Sequence, residues 1–118
     1  MENELDVQSI RTGNRAIVFV TGDAGLSHVA RLEAELTSIA SDRIPLVILD
    51  LTSLDFIASR AIGVLMGFHR RMELQNSKVR VATASPSRVR DALEIARLHT
   101  VLETYDTLEA ALKGNEPV

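Results

Sequence analysis

Leu46-Val-Ile-Leu-Asp-Leu-Thr-Ser-Leu-Asp-Phe-Ile-Ala-Ser-Arg-Ala-Ile-Gly-Val-Leu-Met-Gly-Phe-His-Arg-Arg71 is the stretch from which the fold can be read. It opens with an apolar run, Leu46 to Leu51, broken by Asp50, which suits a central strand buried on both faces. Ser53-Leu-Asp55 reads as a loop. From about Ser59 to Leu74 apolar residues cover much of a helical circumference, which places Leu65, Met66 and Phe68 in the core of a packed helix. A buried strand followed by a helix is half of a parallel crossover unit.

The flanking segments supply the other halves. Leu5 to Ile10 alternates weakly, as an edge strand does, and Thr12-Gly13-Asn14 is a turn signal. Ala16 to Thr21 is rich in β-branched residues and reads as a second strand, with Gly22 to Gly25 as the loop after it. Leu26, Val29, Leu32, Leu36 and Ile39 recur at helical steps. Beyond the quoted stretch, Lys78 to Thr83 alternates as a strand. Ser85-Pro86 suits the N-cap and first position of a helix bearing Val89, Ala92, Leu93 and Ala96 on one face. A short strand near Val101 to Glu103 and a helix near Thr107 to Lys113 complete a ββαβαβαβα order. The expectation is one α/β domain over 1–118, its core over about 5–113, with a mostly parallel sheet, about four helices and a frayed tail at 114–118.

Composition narrows the function. A chain of 118 residues can bury a core without staples, and it has no cysteine. Its polar N-terminus lacks the order of a secretory signal, and no apolar run reaches membrane-spanning length, so a cytoplasmic protein without membrane insertion is expected. A net charge of −3, one tyrosine, no tryptophan and three phenylalanines argue against nucleic-acid binding.

The residues that could suggest catalysis lack the spacing it needs. Ser59, His69 and Asp50 suggest a hydrolytic triad, but ten helical residues separate Ser59 from His69 by roughly 15 Å. His28, His69 and His99 have no metal-ligand spacing. Gly22-Asp-Ala-Gly25 lacks the third glycine of a dinucleotide loop and the Gly-Lys-Ser/Thr of a phosphate loop. The expectation is a non-enzyme with no cofactor and no metal.

The quoted stretch resembles the family of sulfate-transporter and anti-sigma-factor-antagonist (STAS) domains, and the resemblance extends from about Arg15 to Lys113. Such domains have an apolar strand ending in Asp-Leu, a loop with Phe-Ile, then Asp-Ser-Ser/Thr-Gly-Leu/Ile-Gly opening a helix. Asp50-Leu51, Phe56-Ile57, Ser59, Ile62 and Gly63 match. So do the Lys78-Val-Arg-Val strand, Ser85-Pro86, the Val89 to Leu98 helix, and Tyr105-Asp106 before Leu108-Glu-Ala-Ala-Leu112. The resemblance implies a regulatory protein-binding module, whose phosphoacceptor hydroxyl precedes the motif glycine at a helix N-terminus. A phosphate is tolerated there, and its added charge can turn partner binding off.

Position by position, the motif aspartate falls on Ala58, the first serine on Ser59, the phosphoacceptor on Arg60 and the glycine on Ala61. The Gly-Glu-Leu-Asp that often follows the second strand becomes Gly22-Asp-Ala-Gly25. The usual switch is therefore expected to be missing, with Ser59 either a displaced acceptor or a helix N-cap. Arg60 either meets an acidic partner or pairs with Asp55 or Asp23. Asp23, Asp50, Ala58, Ser59, Arg60 and Ala61 are the candidate contact residues. The implied partner is an anti-sigma factor or serine-kinase-type regulator. The alternative is a transporter or lipid-transport ATPase that the domain would serve as accessory subunit, and self-association is left open.

Overall fold

The computed structural model describes residues 4–114. Strands β1 (Leu5–Thr12) and β2 (Arg15–Ala24) form an antiparallel hairpin in which Leu5 faces Gly22 and Thr12 faces Arg15. The turn between them uses Gly13 at φ 62°, a left-handed value that glycine adopts without cost. After helix α1 (Val29–Ser41), strand β3 (Leu46–Asp50) pairs parallel with the first half of β2. Strand β5 (Lys78–Ala82) lies parallel on the other side of β3, and β6 (Glu103–Tyr105) lies parallel to β5. The spatial order is β1-β2-β3-β5-β6.

Strand β4 (Leu54–Ile57) is the element that the sequence hid in a loop. It pairs with the far end of β2, Gly22 to Leu54 and Ala24 to Ile57, across a register shift between Gly22 and Asp23. The reason is geometric. Asp50 ends β3 and its Oδ1 accepts from the Thr52 N–H at 3.0 Å and the Thr52 hydroxyl at 2.6 Å, which turns the chain. The vacated side of β2 is then filled by β4, so Gly22 to Ala24, expected as loop, is strand.

Three further boundaries move for local reasons. Leu26–His28 forms a 3₁₀ turn before α1, which leaves Leu26 69% exposed instead of on the α1 apolar stripe. Helix α3 (Arg88–Ile95) starts after Ser87, whose hydroxyl oxygen accepts from the Arg90 N–H, so Ser85 and Pro86 lie outside it. A 3₁₀ turn at Leu98–Thr100 delays the last strand to Glu103. Gly114, expected in the frayed tail, caps helix α4 (Leu108–Lys113) at φ 67°, while 115–118 lie outside the described residues.

Alternation along β3 decides what each helix covers. Val47 and Leu49 point to one face, where α1 (Leu32, Leu36, Ile39), helix α2 (Ser59–Leu74, with Leu65, Phe68, Met72) and α3 (Val89, Leu93) close the main core. Leu65 and Phe68 are buried as expected, and Met66 is half-buried against them. Ile48 points to the other face, where with Ala82 and Tyr105 it packs on Ala111 of α4. Two arginines fasten the C-terminal end of α4: Arg80 donates to Ala111 O at 3.1 Å and Arg15 to Leu112 O at 3.2 Å. Cations suit that end of a helix dipole.

Tyr105 is buried and its hydroxyl donates to Glu103 Oε1 at 2.9 Å. Burial first, and then the Glu103 hydrogen bond and charge, push its ionisation above the ordinary phenol range, against a smaller pull from Arg80. Its folded pKa exceeds the unfolded value near about 10, so its contribution to stability holds below that pH and is lost as pH rises through the folded pKa. The urea midpoint of the protein should therefore fall more steeply than that of Tyr105→Phe between roughly pH 9 and 11. Parallel profiles would remove Tyr105 as the cause.

Candidate functional site

The β4–α2 junction gathers the singled-out residues. Ala58 is still extended (φ −79°, ψ 156°) and is the N-cap of α2. Its N–H donates to Ala24 O at 3.0 Å and its carbonyl accepts from Ile62 N at 3.0 Å, so the helix start is pinned to the end of β2. A methyl group cannot cap, so the helix start has no side-chain cap from its N-cap residue. Ser59 is therefore the first helical residue and not the N-cap that its type suggested.

Ser59 and Arg60 are both exposed. Among the described residues Arg60 forms no hydrogen bond and no ion pair, and neither expected carboxylate reaches it. Asp23 is half-buried, with its Oδ1 lying only 2.7 Å from where a Cβ on Gly25 would be, so that carboxylate is folded over the Gly25 backbone. Asp55 is exposed, and its backbone oxygen accepts from Arg88 Nη2 at 3.3 Å. An unpaired guanidinium thus stands in the first turn of a helix, where the dipole disfavours it by about 0.3–1 kcal/mol.

Two apolar side chains near the start of α2 are exposed. Leu26 shares with Arg60 the mouth of a groove between α1 and α2, and Phe56, 41% exposed, lies against Gly25. Exposed apolar side chains near an unpaired cation make a surface complementary to an acidic, partly apolar protein face. Sequence reasoning missed three contributors: Leu26, Phe56 as an exposed side chain, and Arg88. A strand that pairs only at its end left no periodic signal for Phe56, and the 3₁₀ turn displaced Leu26 from its stripe.

The model of the STAS domain family matches residues 6–111. The chain belongs to the STAS domain family. Solved structures of similar fold include an anti-sigma factor antagonist from Mycobacterium paratuberculosis, with TM-score 0.86 and 19% identity over 94% of this chain and 93% of that one. The unphosphorylated form of the anti-sigma factor antagonist SpoIIAA follows this STAS domain with TM-score 0.75 and 18% identity over 94% and 95% of the two chains. Bacillus SpoIIAA in its phosphorylated form does so with 0.69 and 17% over 94% and 98%. No curated protein sequence matches the chain.

In this STAS domain the remaining candidates are less available. Ala61 is fully buried and Ala58 is 9% exposed, so they shape the helix start and offer little surface. Asp50 is half-buried and occupied with Thr52. Ser59 and His69 sit ten residues apart on the one helix α2, which keeps the triad geometry out of reach. Among the described residues no cluster of three His, Cys, Asp or Glu could hold a metal ion. No helix there is long and apolar enough to cross a membrane.

Proposed function

We propose that this STAS domain is a non-enzymatic regulatory module of the anti-sigma-factor-antagonist kind, acting in bacterial signal transduction that regulates transcription. It docks the N-terminal end of α2 onto an anti-sigma factor or serine-kinase-type regulator in the cytoplasm. The observation that supports this best is Arg60, an exposed guanidinium without a partner among the described residues, which lines a groove together with the exposed Leu26. With arginine in the phosphoacceptor position, the surface has no Ser/Thr switch there and binds constitutively. A phosphate on the neighbouring Ser59 would be accepted by the uncapped helix start but would pair with Arg60, cancelling the charge offered to the partner.

The test is affinity purification of the tagged protein from its own cells, with mass spectrometry of partners and of residues 56–71. A kinase-like anti-sigma factor is expected, with Ser59 unmodified. Arg60→Glu should lower its recovery about tenfold, since reversing one rim charge costs on the order of 1 kcal/mol or more. The unfolding midpoint should hold or rise slightly, because Arg60 is exposed and a carboxylate suits the first turn of a helix better than a guanidinium. Undiminished recovery with Arg60→Glu would remove this surface as the docking site. A transporter ATPase recovered with its membrane subunits would instead assign the domain the role of accessory subunit.

A further inference from the structure

We propose that the furrow between α1 and α2 seats an acidic amphipathic helix of a partner protein. This extends the docking role above and rests on it only through Arg60, which stands at the mouth of both surfaces. The furrow has a volume of about 660 Å³. Its walls carry Val29 and Leu36 from α1 and Val64 and Phe68 from α2, with Gly63 and Gly67 between them.

Both glycines are exposed and lie in the interior of α2, where glycine weakens a helix relative to alanine. Neither is required by its own packing, because a Cβ at either position would meet nothing within 4 Å. Neither has a positive φ. What the two absent side chains leave is room, one helical turn apart, for another backbone to approach closely.

The charges along the furrow choose the occupant. Arg60 and Arg71 stand toward its two ends, eleven residues or roughly 16 Å apart along the helix axis. Neither has a carboxylate partner among the described residues; Arg71 reaches only the Ser41 hydroxyl, at 3.3 Å. The opposite wall presents Glu33, also without a cation. A helix with two carboxylates three turns apart, and small or aliphatic residues between them, satisfies both guanidiniums while its apolar stripe covers the glycines. A basic or uniformly apolar helix would leave both arginines desolvated and unpaired.

The test is selection of a phage-displayed library of helical peptides, randomised on one face, against the immobilised full-length protein. Selected helices should carry Asp or Glu about eleven positions apart. Gly67→Leu, whose Cβ would meet nothing within 4 Å and whose side chain would occupy the furrow, should weaken them about tenfold or more while leaving the circular dichroism unchanged. Arg71→Glu should do the same and be rescued by a peptide with lysine in place of the facing acid. The proposal falls if no helix is selected, if acid-free helices bind as well, or if Gly67→Leu leaves binding intact. It also falls if the protein dimerises and Gly67→Leu abolishes the dimer, which would give the furrow to a second copy. Gly67 and Arg71 lie two or more turns from Ser59, so their failure leaves the Arg60→Glu outcome standing as a separate result.

Discussion

Arg90→Ala is expected to remove about 3 kcal/mol of folding stability, a large share of the roughly 5–15 kcal/mol that holds a domain together. Arg90 is 7% exposed, and its guanidinium joins three elements. Its Nε donates to the Thr83 hydroxyl, and its Nη2 reaches Thr83 O at 3.1 Å, Tyr105 O at 3.2 Å and Asp106 Oδ1 at 2.7 Å. Truncation leaves the buried Thr83 hydroxyl and carbonyl short of a donor, with the Tyr105 carbonyl keeping only the Thr83 N–H, and opens a cavity where the stem lay. The ion pair itself is the lesser part. Asp106 is 52% exposed, so water screens it, and Asp106→Asn should cost under about 1 kcal/mol. Arg90→Lys should recover less than half, because one ammonium cannot reproduce the fork. Urea unfolding of the three variants checks this ranking, and equal losses for Asp106→Asn and Arg90→Ala would show that the charge pair dominates. Binding should suffer too, because α3 packs on β4 and its Arg88 holds the Asp55 carbonyl just before Phe56.

Gly22→Ala is expected to cost about 3 kcal/mol or more, against about 1 kcal/mol for Gly13→Ala. Both glycines have positive φ, 91° and 62°, so each substitution bears the left-handed penalty. Only Gly22 also collides. A Cβ there would lie 1.9 Å from Glu4 O, and that oxygen already accepts the Asp23 N–H at 3.0 Å. The atom it strikes is backbone, so relief requires moving the start of β1 or breaking the bond that enters the bulge. At Gly13 a Cβ meets nothing within 4 Å. The comparison separates strain from collision, and equal midpoints for the two variants would dismiss the collision. Because Gly22 sits at the register shift that lets β4 pair, its loss should also lower partner binding more than stability alone explains.

What the sequence revealed follows the strength of its periodic signals. Leu46–Asp50 is apolar on both faces because sheet neighbours flank it and helices cover both faces, so it identified itself. Helix α2 was legible because apolar residues cover much of its circumference from about Ser59 to Leu74, and the structure buries Leu65, Phe68 and Met72 among them. Leu54–Ile57 was not, since a four-residue strand pairing at one edge with two residues buried looks like a loop. Gly22 looks like a breaker in sequence and acts as a bulge in the sheet, a distinction that only Glu4 across the hairpin makes. Nothing in the sequence singles out Arg90, because arginine is seldom buried unless paired and its partners lie seven and sixteen positions away. At the site, the family pattern located Ser59 and Arg60 correctly at the start of α2, yet residue type alone misjudged the cap. Whether Arg60 is paired depended on where Asp23 and Asp55 point, which no spacing encodes.

The position of α4 has a consequence for synthesis. Ribosomes deliver the chain from its N-terminus, so the hairpin, β3 and β5 are available for pairing while Leu108–Lys113 is still unmade. The α1, α2 and α3 side can close early around Val47 and Leu49, whereas Ile48 and Ala82 stay wet on the opposite side. Tyr105 and Ala111 complete that second cluster, and Arg15 and Arg80 wait for carbonyls at positions 112 and 111. A nascent chain is thus a one-sided sheet with an adhesive back, and arrival of the last helix converts it into a sealed domain.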